Sequence, residues 1–165
     1  MHEVMRTRNG AATAYSPSLA RKHLDALNKG QAELLAALGC MRGATDEPTP
    51  DPIALCRARW NVSRANRNHR SVVASILTEL MINAAPGDLA SIICLQRAGV
   101  QQTQRSTNHI QEWTPERVMT KWRDFCDASS KIQADLERRV QDEIIVINRM
   151  LRERSLIRDQ AWWES

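Results

Sequence analysis

From Glu116 to Ser165 the chain contains no proline and no glycine, and its apolar residues return every three or four positions. The stripe reads Val118, Trp122, Phe125, Ser129, Ile132, Leu136, Val140, Ile144, Ile147 and Leu151. That period suits an α-helix and defeats a strand, whose side chains alternate between two faces. At 1.5 Å per residue, a helix over 115–158 would be about 65 Å long. An element of this length constrains everything else, because its apolar stripe must be covered by neighbours of similar length. Other helices laid alongside it are the simplest cover.

The rest of the chain supplies such helices. Ser16-Pro17, Asp51-Pro52 and Thr114-Pro115 each pair a side-chain cap with a proline whose missing N–H costs nothing in a first turn. The first start leads into Leu24, Leu27, Leu34 and Leu38 at helical spacing, with Gly39 as the expected end. The second leads into Leu55, Ala58, Val62, Ala65, His69, Val73, Ile76 and Leu80, predicting a helix over 52–84. Ala85-Pro86-Gly87-Asp88 then interrupts the apolar pattern. Proline disfavours the α region for Ala85, and Asp88 is the expected cap of a third helix over 89–111. So short a link forces antiparallel packing. The expectation is an all-α fold: an antiparallel bundle of about four helices with a long C-terminal coiled-coil-like helix. Residues 1–15 are polar, small and aperiodic, and read as a flexible tail before a single helical domain over 16–165.

Composition narrows the function classes. The 165 residues carry a formal charge of +4, which permits an anionic partner without requiring one. No run approaches the roughly 20 apolar residues of a membrane span, and no signal peptide opens the chain. Cys40, Cys56, Cys94 and Cys126 form no CxxC pair and read as free thiols in a reducing cytoplasm. His23, His69 and His109 fall one each on the first three helices, but no Glu-x-x-His or His-x-x-x-His spacing accompanies them. His69 sits on an apolar stripe and reads as a hydrogen-bonded core histidine. There is no nucleophile elbow, phosphate-binding glycine loop or dinucleotide fingerprint. The expectation is a protein that is not an enzyme and uses no metal or other cofactor.

Two stretches invite binding. Between Arg57 and Arg70 there are five arginines, one histidine and no acid. At 100° per residue, Arg57, Arg64 and Arg67 surround Trp60 on the side away from the apolar stripe. Arginines with an interleaved aromatic can hold a phosphate backbone and stack on a base, or can mark the polar edge of an apolar surface. The second stretch is the far end of the long helix. Its stripe outruns the cover expected from the other helices, so Leu136, Val140, Ile144, Ile147 and Leu151 are assigned to self-association. Ile144-Ile145-Val146-Ile147 is apolar all round, and Trp162-Trp163 adds aromatic area.

One stretch resembles a known family. Leu77 to Trp122 holds an apolar helix, the Ala-Pro-Gly-Asp break, then LASIICLQRAGVQQTQRSTNHIQEW and a tryptophan-containing entry to a long helix. This pattern, covering less than a third of the chain, resembles the phasins, proteins that coat bacterial polyhydroxyalkanoate granules. The resemblance implies a non-enzymatic surface coat, amphipathic helices on the polymer, a homo-oligomer and a cytoplasmic, granule-associated location. A helical anion- or nucleic-acid-binding module, or a protein-interaction module, acting through the Arg/Trp face is the competing expectation; nucleic acid is the less favoured partner.

Overall fold

The computed structural model describes residues 16–82 and 84–160, with side chains described as far as 154 and that of 17 left out. The expected tail over 1–15 and the Trp162-Trp163 pair lie outside the described residues. Five helices follow one another: α1 (Pro17–Thr45), α2 (Pro52–Ile82), α3 (Pro86–Glu112), α4 (Pro115–Thr120) and α5 (Trp122–Gln160). No strand occurs among the described residues, so the all-α expectation holds.

Local chemistry explains most of the boundaries. Asp51 Oδ1 accepts from the backbone N–H groups of Ile53 and Ala54, at 2.9 and 3.1 Å, and so starts α2. Thr114 does the same for α4 through the N–H of Arg117 at 3.3 Å. Ser16 precedes α1 but turns its hydroxyl to Ser18 at 2.7 Å and leaves the first turn uncapped by a side chain. At the 83–88 link the expected cap is displaced. Ala85 occupies the cap position, Pro86 is in the first turn, and Asp88 sits inside that turn, where its negative charge suits the helix dipole.

Two boundaries depart from the sequence reading. The first helix does not stop at Gly39 but runs to Thr45. A mid-helix glycine costs about 1 kcal/mol. Burial of Leu34, Leu38 and Met41 on either side of it outweighs that cost. The long C-terminal helix is broken at Lys121 into α4 and α5. At the break Thr120 donates its hydroxyl to the carbonyls of Glu116 and Arg117. Trp122 then anchors the restart by donating Nε1–H to the carbonyl of Glu47, 3.0 Å away in the α1–α2 loop.

Three apolar clusters give the packing directions. At one end Leu27 of α1 meets Ile76 and Leu80 of α2, Ile92 of α3 and Ile147 and Leu151 of α5. In the middle Leu34 and Leu38 meet Ala65, Leu136 and Val140. At the other end Met41 meets Leu55, Trp113, Val118 and Phe125. Along these clusters α1 and α3 run one way, and α2 and α5 run the other. α5 is 39 residues long, or roughly 58 Å, and α1 and α2 match most of it. Arg154 closes the C-terminal end of α2 by donating Nη2–H to the carbonyl of Leu80.

Candidate functional site

The residues between Arg57 and Arg70 do not act as one face. Arg57, Trp60, Arg64 and Arg67 all point to solvent, as the helical spacing predicts. The three arginines of this set join none of the ion pairs among the described residues. Arg59 and Arg70, counted with them by sequence, turn inward and are partly buried. Arg70 lays its guanidinium over Gly99 of α3, so closely that a β-carbon there would come within 2.5 Å of Nη1.

A polar layer crosses the apolar core at mid-length. His69 of α2 and Glu143 of α5 are both fully buried, and His69 donates Nε2–H to Glu143 Oε2 at 3.2 Å. Arg139, one turn away, donates to the other carboxylate oxygen at 2.5 Å. Burial pulls the Arg139 guanidinium below its ordinary range; Glu143 opposes that effect and nearby Arg70 adds to it. Each oxygen of Glu143 is therefore committed to a cation or an imidazole. His69 is the hydrogen-bonded core histidine expected from its place on the stripe. The sequence reading missed Glu143, although a signal existed: position 143 falls three residues after Val140 and four before Ile147. Ser129 and Gln133 interrupt the same stripe and are bonded to one another at 2.9 Å.

The three histidines are not brought together. His109 lies beside Trp113 and Phe125, with ring centroids 6.5 and 5.9 Å away, and His23 sits partly exposed near the start of α1. No group of three or more potential metal-ligating side chains occurs among the described residues. Burial, and then the Arg59 cation, hold His109 below its ordinary value of 6.5, while Glu112 pulls the other way. Such a histidine takes up its proton more readily unfolded than folded. Stability is thus expected to be full above the unfolded value near 6.5 and to fall as pH drops through the folded one. Denaturation midpoints at about pH 7.5 and about pH 5 check this, and His109→Phe should shrink the difference. An identical pH dependence in parent and variant would locate the effect elsewhere.

The residues assigned to self-association are used inside one chain. Leu136, Val140, Ile147 and Leu151 are all less than 5% exposed, and Ile144 packs against the same clusters. The reason is the length of α1 and α2, which together cover the α5 stripe to Leu151. Of the apolar run 144–147, only Ile145 stands well out, at 67% exposure.

An uncovered apolar stripe lies on α3 instead. Its buried residues are Ile92, Gly99 and Gln102 alone, whereas Leu89, Ile93 and Val100 are exposed within about 40° of one another around the helix. Met81 and Ile82, at the adjoining end of α2, are exposed as well. The four cysteines are unpaired, and burial raises the Cys126 thiol above its ordinary value. No helix among the described residues is long and apolar enough to cross a membrane. No protein-family model, curated protein or solved structure matches the chain.

Proposed function

We propose that this chain is a non-enzymatic, phasin-like coat protein that covers an apolar cytoplasmic surface, a polyhydroxyalkanoate granule above all. The observation that carries the reading is the outward stripe of α3. An amphipathic helix ordinarily turns its apolar side to the core. Here Leu89, Ile93 and Val100 face water, and the inner side of the same helix buries few large residues. In this reading the four long helices form an antiparallel, coiled-coil-like bundle that presents α3 to the surface. Each Å² of apolar area removed from water is worth roughly 25 cal/mol, so Leu89, Ile93, Val100, Met81 and Ile82 together favour adsorption. Copies meet through the same stripe when no surface is offered. The buried 136–151 stripe plays no part in either contact.

Partitioning onto polymer particles or oil droplets tests this. Binding should persist at high salt, and the pair Ile93→Ser and Val100→Ser should lower coverage several-fold. Val100 is 68% exposed and Ile93 37%, so the melting temperature should fall only modestly, most of the loss coming from Ile93. Undiminished coverage by the double variant would sink the proposal. The second reading, an anion- or nucleic-acid-binding module, is favoured by the unpaired Arg57, Arg64 and Arg67 around Trp60. Binding to duplex DNA that falls steeply with salt, without partitioning onto droplets, would decide for it.

A further inference from the structure

Arg59 is a half-buried cation that the fold leaves without a counter-ion. Burial pulls its guanidinium down from the ordinary value, and the only opposing influence is Cys56 rather than any carboxylate. It forms none of the ion pairs among the described residues. One of its five N–H donors goes to the Trp113 carbonyl at 3.3 Å. Its guanidinium carbon also lies 5.9 Å from the centre of the Phe125 ring. Neither that ring nor the Trp113 carbonyl neutralises a charge that a protein guanidinium does not shed, so an anionic acceptor has a place beside it.

The surroundings specify that acceptor. Arg59, Ser63 and Ile110 line two adjoining cavities. The outer one is a cleft of about 390 Å³ between α2, the end of α3 and α4, walled by Leu55, Val118 and Met119 together with the exposed Trp60. Its size falls in the range of small-molecule sites. The inner chamber, about 90 Å³, is lined by Gln133 and Asn66, whose buried side-chain oxygens have no partner. Both cavities are thus mainly apolar, with the Arg59 cation at their junction.

We propose that this cleft binds an amphipathic monocarboxylate. The carboxylate pairs with the Arg59 fork and the apolar chain lies in the outer cleft beside Trp60. Arginine suits the head group because its planar fork matches a carboxylate with two parallel hydrogen bonds. The site is separate from the α3 stripe at Leu89, Ile93 and Val100 and does not depend on the coat reading.

Titration calorimetry of the full chain with decanoate, below its micelle concentration, and with decanol tests the assignment. Decanoate should bind one per chain and roughly 10-fold or more tighter than decanol, the factor expected of a charge-assisted hydrogen bond. Arg59→Met, which keeps the apolar stem, should reduce decanoate to the level of decanol. Arg57→Met, which makes the same charge change on the outer face, should leave decanoate binding intact. Ser63→Trp fills the junction and should abolish binding in a chain that circular dichroism shows to be folded. Equal affinity for decanoate and decanol, no binding of either, or parent-like binding by Arg59→Met or by folded Ser63→Trp would each overturn it. If Arg59→Met fails to fold, the ligand comparison on the parent and the Ser63→Trp variant still decide.

Discussion

Replacing Glu143 with leucine should cost the fold about 3–5 kcal/mol. The cost does not come from losing a favourable ion pair, since a buried pair roughly cancels its own desolvation. It comes from what is left behind. Arg139, 11% exposed, keeps its charge, and buried His69 loses the acceptor of its Nε2–H. A domain of this size is stable by about 5–15 kcal/mol, so one substitution would remove a large part of the total. The measurement is the urea midpoint of Glu143→Leu against the parent at constant slope. A companion variant separates the mechanisms. Combining Glu143→Leu with His69→Leu and Arg139→Met removes every member of the layer and should recover most of the loss. A shift within about 0.5 kcal/mol for Glu143→Leu alone would show that the layer carries no buried charge.

Ile147→Glu should unfold the chain, whereas Ile145→Glu should leave it folded. These neighbours occupy the same apolar run but opposite environments: Ile147 is 0% exposed and Ile145 is 67% exposed. A carboxyl placed at 147 is either ionised without a partner or protonated at neutral pH. A pKa displaced by about 3–5 units corresponds to about 4 kcal/mol or more at 1.36 kcal/mol per unit, before any loss of packing. At 145 the expected change is within about 0.5 kcal/mol. Circular dichroism and sedimentation read the two outcomes together. If Ile147→Glu instead stayed helical and sedimented as a smaller species, the 136–151 stripe would be a contact between chains and not the interior of one.

The candidate sites were legible in different degrees. Arg57, Trp60, Arg64 and Arg67 are exposed where helical spacing puts them, because a stripe on one face of α2 implies an opposite face. The Arg59 cleft was not legible. Position 59 belongs to the same arginine-rich run, and only the approach of Ile110, Val118 and Met119 turns its flank into a cavity. The outward stripe of α3 was half legible. Leu89, Ile93 and Val100 fall within the third helix expected over 89–111, but their direction depends on which neighbours α3 finds.

What the amino-acid order determined by itself is local. Asp51 and Thr114 cap the helices they precede because each bond spans only two or three residues. The stripes of α2 and α5 follow from the helical period, which places Leu55, Ala65 and Ile76 on one apolar face and Leu136, Val140 and Ile147 on another. Tertiary structure decided the rest. It carried α1 through Gly39, since packing of Leu34 and Leu38 outweighs an intrinsic preference of about 1 kcal/mol. It set the break at Lys121 with help from Glu47, a residue 75 positions from the tryptophan it holds. It also covered the α5 stripe within one chain. Periodicity says that a face is apolar, but only the lengths and directions of the neighbouring helices settle what covers it.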